Sequence, residues 1–479
     1  MTRATGPTGT RRLVAALAAG LGLTAATSLL APGAAGQPAG AANPPPGASA
    51  AGANAQQIER GRYLAAAGDC VACHTLPRAA AFSGGRPVET PFGVVLSANL
   101  TPDPATGIGR YDNDSFYRAL HEGIDREGHH LYPAFPYPYY TRVTREDSDA
   151  LLAYLRSLPP VNHAVDRNQL HFPFNIRPMI AAWNLLYLDK GSYQQDRTQS
   201  AEWNRGAYLV EGLGHCQACH TPRNRLGGPE KDEAFRGGRF ANWFAPDITP
   251  NPRTGIGAWG REAVIEFLRT GRNVHSGAAG EMAEVVSFST SRMTDADVGA
   301  VATYLASLRP SAMGSIGIPA GAQMAQGEAI WQDNCAACHR EDAKGVPRAL
   351  PPIAASANLQ QRDPTTVLHY ILAGARHRST ETAPTGFAMP SFAWKLDDAE
   401  IAAVATYARN TWGNQASPVT ADQAADLRKR LANAPGASPP WPPEVKPAHD
   451  LKRPGAATWS TADTDSRDNG TARAGSPAQ

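Results

Sequence analysis

The chain is poor in cysteine, with six in 479 residues, and each of the six belongs to a C-x-x-C pair. It also lacks a charge excess of either sign: 45 basic side chains stand against 43 acidic ones, a net charge of +2. That balance gives no basic field for nucleic acid, which is excluded as an expected partner. Beyond residue 31 no apolar run reaches the length of a membrane-spanning helix. There is no glycine-rich nucleotide fingerprint, no nucleophile–base arrangement and no metal-ligand cluster outside the cysteine pairs. A substrate-oxidising site within this chain is therefore not expected. Methionine is scarce too, with seven in all and none between His74 and Met179.

What is present is one signature three times. Cys70-Val71-Ala72-Cys73-His74, Cys216-Gln217-Ala218-Cys219-His220 and Cys335-Ala336-Ala337-Cys338-His339 consume every cysteine. C-x-x-C-H is the attachment pattern of haem c. Two thiols add to the two vinyl groups, and the two-residue spacing lets one tight turn reach both. The following histidine then lies under the iron as proximal ligand. A lone copy could be a redox dithiol or half of a zinc site. Three copies without a spare cysteine, each followed by a domain-sized block, predict three covalently bound haem c groups and no structural disulfide.

The flanks read as export and tail. Residues 1–35 carry Arg3, Arg11 and Arg12, an uncharged apolar run from Leu13 to Ala31, and small residues at Gly33-Ala34-Ala35, the plan of a signal peptide that is cleaved there or, uncleaved, anchors the chain in the membrane. Residues 36–56 read as a flexible leader. Residues 413–479 turn to Ala, Pro and charge; Thr420 to Ala432 is predicted as one surface helix, and 435–479 as disordered. Covalent haem is attached outside the bacterial cytoplasm, in agreement with the export signal.

Between the flanks the expected fold is all-α: cytochrome c domains at 57–162, 200–312 and 320–412 in tandem, with an interdomain segment at 163–199. The first two blocks repeat each other. Gly107-Ile108-Gly109 returns as Gly255-Ile256-Gly257, Gly123 as Gly271, and Tyr154-Leu155 as Tyr304-Leu305. Gly61 should let the leading helix approach another closely, and Thr144 should cap the last helix of its block. The third block is shorter and more divergent.

Two methionines stand where a loop could drop a thioether onto the open face of the iron. Met282 lies 62 residues after His220, and Met389, followed by Pro390, lies 50 after His339. Met293 is expected to pack in the core. The first block has no such methionine. The same count from His74 reaches Phe135-Pro136, and counting back from the last helix reaches Tyr132. Phenylalanine cannot ligate iron and neutral tyrosine is a poor ligand. The candidates are His130, then His129 or His121, Met179 reaching back from the interdomain segment, or an open iron.

That segment is unusual. Phe172 to Pro178 precedes the almost wholly apolar run Met179–Leu188, too short to span a bilayer. It is expected to pack between two domains or to offer a surface to a partner or membrane.

With the motifs, Asn99-Leu100-Thr101-Pro102, the run from Glu211 through His220 to Asn224, Ser289-Thr290-Ser291 and Trp412-Gly413-Asn414, the chain resembles the tri-haem cytochrome c subunit of bacterial periplasmic dehydrogenase complexes over about residues 57–430. The resemblance implies a separate catalytic subunit holding pyrroloquinoline quinone, flavin, or molybdopterin with iron–sulfur clusters. It implies delivery of electrons to ubiquinone or another respiratory acceptor, at the periplasmic face of the inner membrane and peripherally attached to it. Ala134-Phe135-Pro136 stands where the alcohol dehydrogenase type has methionine between alanine and proline, and resembles the partners of molybdenum enzymes. The competing expectation is an open-haem enzyme or redox sensor built on the first block.

Overall fold

The structure is a computed structural model that describes residues 46–433 except 167, 168, 313 and 315. The expected signal peptide, most of the leader and the tail beyond 433 lie outside the described residues. Helix α1 (Pro46–Ala67) begins inside the stretch expected as leader. Proline at a first helical position and the alanine-rich sequence after it suit that start.

Each block is built on a pair of helices crossing at a glycine. In the first, α1 leads into the short motif helix α2 (Cys70–His74), followed by β1 (Pro87–Thr90), β2 (Gly93–Leu96), α3 (Asn113–Glu122), α4 (Tyr137–Tyr140) and α5 (Arg145–Ser157). A Cβ on Gly61 would overlap the Ala150 carbonyl of α5 and lie 2.8 Å from Tyr154 Cβ. Only glycine permits that approach. The helices start where the caps are: Asp112 accepts from Ser115 N–H and Thr144 from Asp147 N–H. The interdomain segment supplies β3 (Gln169–Leu170) and α6 (Met179–Tyr187).

The second block repeats the plan with α7 (Ala201–Ala207), a π-turn to Leu213, the motif helix α8 (Gln217–His220), β4 (Arg236–Phe240), β5 (Trp243–Asp247), α9 (Gly260–Thr270), α10 (Gly280–Phe288) and α11 (Asp295–Ser307). Gly206 meets Ala300 and Tyr304 as Gly61 meets Ala150 and Tyr154. The third has α12 (Gly321–Asn334), the motif helix α13 (Ala336–His339), α14 (Thr365–Ala373), β6 (Ala375–Arg376), β7 (Ala388–Met389), α15 (Asp398–Ala408) and α16 (Ala421–Asn433). There Gly327 meets Ala403 and Tyr407.

The fold is mainly helical, and the expectation of an all-α chain needs correction. Each block carries a small antiparallel ladder: β1–β2 with β3 added, β4–β5, and β6–β7. These strands are short and rich in glycine or proline, so they give little period-2 signal. The C-terminal helix also differs from expectation. Ala424 and Leu427 of α16 are fully buried, and Arg428 bonds Asp398 and the carbonyls of Ala393 and Leu396. The third block's packing thus runs to 433, and α16 is part of its core.

The first two blocks share one apolar core, from Leu64 to Leu305, and the third has its own, from Ile330 to Leu427. A reciprocal polar clamp joins the first two. Tyr63 OH donates to Asp297 Oδ2 at 2.5 Å and Tyr208 OH to Asp147 Oδ2 at 2.5 Å. Arg60 binds Asp147 and Arg205 binds Asp297. Each block's tyrosine thus crosses to the other block's acid, as in an isologous dimer interface. The pattern Arg-Gly-x-Tyr, at 60–63 and 205–208, was the missed sequence signal. The third block has Gln326-Gly327-Glu328-Ala329 there and makes no such clamp.

Gly206→Ala forces a methyl group into the Ala300 carbonyl, and overpacking of this kind costs about 1–3 kcal/mol. Thermal denaturation should show a lowered midpoint, with a similar fall for Gly61→Ala and Gly327→Ala. A midpoint equal to that of the parent would contradict the crossing.

Candidate functional site

The motif helices place their side chains by one local device. Each is a single turn following the leading helix, so both cysteines and the histidine project together. Asp69 ahead of the first motif and His215 ahead of the second adopt positive φ (53° and 39°), which turns the chain into the motif. The His74 ring donates from Nδ1 to the Ala98 carbonyl at 2.7 Å, and His220 donates to the Pro246 carbonyl at 2.7 Å. Such a bond fixes the ring and leaves Nε2 for a metal. The third motif differs slightly: His339 Nδ1 is buried, and the Pro351 carbonyl raises its basicity without reaching hydrogen-bond geometry.

Burial lowers the proton affinity of all three rings, keeping them neutral as iron ligands must be. Burial also pushes the thiols up, Cys70 and Cys219 to about 12, and Cys73, Cys216 and Cys335 to about 11. A redox dithiol needs a depressed thiol pKa, so the environment opposes that reading. Among the described residues no group of three or more His, Cys, Asp or Glu is arranged as a metal site, which leaves zinc unsupported.

A cavity of about 2470 Å³ runs through the blocks. Pockets for drug-sized ligands are about 300–1,000 Å³, so there is room here for large cofactors. Its wall carries Cys70, Cys73 and His74 together with Leu131–Pro136, and Ile108, Phe116 and Leu120 are part of its apolar lining. Those residues fit a covalently held porphyrin. The wall continues past Cys219 and ends in the third block near Met389. Cys216, His220 and Met282 lie off this wall; Met282 is half-buried against Ala278, Ala283 and Val286. Cys335, Cys338 and His339 also lie off it. Met293 is buried in the shared core.

The structure separates the candidates for the first block. His121 Nε2 donates to the Val143 carbonyl at 2.6 Å, and His129 Nδ1 faces Asp125 at 3.3 Å. The wall takes in Leu131 and Tyr132 but not His130, His129 or His121. His130 Nδ1 and Tyr132 OH are both buried without a hydrogen-bond partner. Met179 is on the wall.

Two junctions were not legible in the sequence. Glu284 of the second block binds Arg86 of the first at 2.7 Å and Arg378 of the third at 3.1 Å. Beside it Glu281 is pushed up to about 7 by burial. Trp243 of the second block stacks on His369 of the third, with ring centres 3.6 Å apart, and His369 Nδ1 donates to the Asn242 carbonyl at 2.8 Å.

Comparison with known proteins agrees with this geometry. The cytochrome c family model matches residues 204–309 and 324–412. The chain is 37% identical to the gluconate 2-dehydrogenase cytochrome c subunit of Pantoea cypripedii, covering 79% of this chain and 90% of that one. It is 36% identical to the cytochrome c subunit of the quinone-dependent alcohol dehydrogenase of Komagataeibacter europaeus, covering 81% and 87%. Against one of the chains of the nicotinate dehydrogenase of Pseudomonas putida the identity is 41% over 74% of this chain, which spans 30% of that protein's length. The chain belongs to the family of cytochrome c subunits of dehydrogenase complexes. It is an electron-transfer subunit linked to dehydrogenase-type oxidoreductases, and it carries haem c. Among the described residues no helix is long and apolar enough to cross a membrane.

The His369 stack generates a prediction about acid. Burial lowers its pKa from 6.5 to about 4. Below pH 6.5 the unfolded chain binds a proton that the folded chain refuses, so stability falls with pH down to about 4, by about 1.4 kcal/mol per unit at most. His369→Phe keeps the ring on Trp243 and removes the titration. Its denaturation midpoint should vary less between pH 6.5 and 4 than the parent's; an equal slope would refute the assignment.

Proposed function

We propose that this chain holds three haem c groups, on Cys70, Cys73 and His74, on Cys216, Cys219 and His220, and on Cys335, Cys338 and His339. The domains are 57–162, 200–312 and 320–433, the last extended by α16. The chain accepts electrons from a separate periplasmic dehydrogenase subunit and passes them to ubiquinone or another respiratory acceptor. The observation that carries the reading is the threefold recurrence of the motif at the end of a glycine-crossed helix. Bound haem supplies reversible one-electron chemistry, and the chain supplies ligation, an apolar lining and docking surfaces.

Met282 and Met389 are the sixth ligands of the second and third haems. Met389 is half-buried in the third block, and its carbonyl is approached by Gly374 at φ 77°. His/Met ligation raises the iron potential, which suits accepting electrons from an organic substrate. Ala134-Phe135-Pro136 favours a catalytic partner of the molybdopterin/iron–sulfur class over the pyrroloquinoline quinone class of the alcohol dehydrogenases.

Intact-mass measurement of exported protein should show three haems, and Cys335→Ala/Cys338→Ala should remove one. The purified chain should undergo haem reduction by substrate only when the catalytic subunit is added. Reduction by substrate without that subunit would sink the carrier reading. Met282→Ala and Met389→Ala should each delete part of the near-infrared methionine–ferric haem absorption; unchanged spectra in both would refute the ligand pair.

A further inference from the structure

The first block has no methionine in its own loop, and the interdomain segment runs beside that loop. Residues 169–193 do not run directly from the first block to the second. They fold back across the first block in successive contacts. Gln169 and Leu170 pair with Val94 and Gly93 of the hairpin. His171 N–H donates to the Phe92 carbonyl at 3.0 Å, and the rings of Phe92 and Phe174 lie 4.4 Å apart. Arg177 then reaches the loop after α3: its Nη1 donates to the His130 carbonyl at 2.8 Å, and its guanidinium lies 5.1 Å over the Tyr132 ring. Five residues into α6, Asn184 accepts from Tyr137 OH at 2.5 Å. Gly191 N–H donates to Thr141 Oγ1, which ends the crossing.

Met179 sits between the Arg177 and Asn184 anchors. The flanking anchors tie its helix to His130, Tyr132 and Tyr137, and Met179 lines the same cavity as Cys70, Cys73 and His74. Together with Ile180, Trp183 and Leu186 it forms part of that cavity's wall. It is half-exposed, and α6 has no buried residue although every residue in it but Asn184 is apolar. A helix so apolar, fixed at both ends yet uncovered on its cavity side, is the wall of a site for an apolar group.

We propose that Met179 Sδ is the sixth ligand of the first haem, delivered from the interdomain segment in place of the methionine that Phe135 displaces. The assignment rests on the three-haem reading. Among the described residues, Met179 is the thioether on the first block's share of the wall, and the histidines of that loop are off it. The wall's other nearby imidazole, His215, stands on the motif's own side. Its ring lies 5.4 Å from Tyr140, whose OH donates to the Gly68 carbonyl just before Cys70. Arg177 and Asn184 are positioning residues, since they act by holding α6 on the loop. The interdomain segment then completes the first block's site as well as connecting it to the second.

The test is Met179→Leu, which keeps the side-chain volume and removes the sulfur. Haem content by intact mass and the near-infrared spectrum of the ferric protein are measured on the same samples, with low-temperature electron paramagnetic resonance. The variant should keep three haems, lose about one third of the methionine–ferric absorption, and convert one low-spin signal to high spin or to a water-ligated form. The midpoint potential of that haem should fall while the other two stay. A variant with three haems and unchanged absorption overturns the proposal. So does loss of the first low-spin signal on His130→Ala, His215→Ala or Tyr132→Phe with Met179 intact. A parent protein with fewer than three haems overturns the underlying reading instead.

Discussion

The structure depends on one close contact made three times: a helix backbone laid against a helix backbone at glycine. Gly61, Gly206 and Gly327 face the carbonyls of Ala150, Ala300 and Ala403, with a tyrosine one turn beyond each alanine. Side chains normally hold helix axes about 8–10 Å apart; a missing Cβ on one side and a methyl on the other bring them nearer. The crossing fixes where the leading helix ends, and the motif follows within a few residues of that end. Its histidine is then aimed at a carbonyl at or just past the end of the hairpin's second strand, Ala98 or Pro246. A cytochrome needs this rigidity, because a fixed iron environment keeps the reorganisation on electron transfer small.

The blocks are not equivalent beads. Tyr63, Tyr208, Asp147 and Asp297 exchange across the first two, and each acid also takes an arginine, so two buried carboxylates are satisfied by a half-buried Arg205 and an exposed Arg60. Hydrogen bonds to charged groups contribute about 1.5–3 kcal/mol each, and an acid stripped of its partners there would be costly. Ser289 of the second block also donates to the Ala67 carbonyl at the end of α1. The third block keeps an acid, Glu400, at the matching position, but glutamine and alanine replace the arginine and tyrosine. It attaches instead through Thr366 to the Phe244 backbone, the Trp243–His369 stack and the Arg378–Glu284 pair. The two joints therefore differ in kind: the first is a reciprocal exchange of tyrosine and carboxylate backed by arginine, the second a stacked imidazole with a threonine and an arginine–carboxylate pair.

Much of this was legible in the sequence. The motifs, the repeat, the Thr144 cap and the close approach at Gly61 follow from residue types whose physics is local: a thiol spacing, a hydroxyl, a missing side chain. What was not legible is what depends on the partner surface. Tyr63 reads as an ordinary helix residue until Asp297, 234 residues away, is beside it. The ladders escaped because strands such as Arg236–Phe240, with two glycines, carry no alternation. Helix α16 read as a surface helix because its apolar face is narrow; Ala424 and Leu427 alone are buried, and only the fold shows that they close the third core.

The same reasoning explains α6. Its sequence, Met179-Ile180-Ala181-Ala182-Trp183-Asn184-Leu185-Leu186-Tyr187, has too few polar residues for a surface helix and too few residues for a membrane span. Periodicity could not resolve the contradiction, because a segment apolar on every side has no direction in sequence. The structure gives it one. Asn184 is turned to Tyr137, Trp183 Nε1 donates to the Leu226 carbonyl, and the Tyr187 ring lies against Gly228. These contacts hold one side of α6 against both blocks and direct Met179, Ile180 and Leu186 to the cavity. Leu185, which is not on that wall, remains exposed to solvent with Phe172 at the segment's start. The apolar character of α6 thus divides in two: a side that lines the cavity, and a smaller outer side that is left exposed among the described residues.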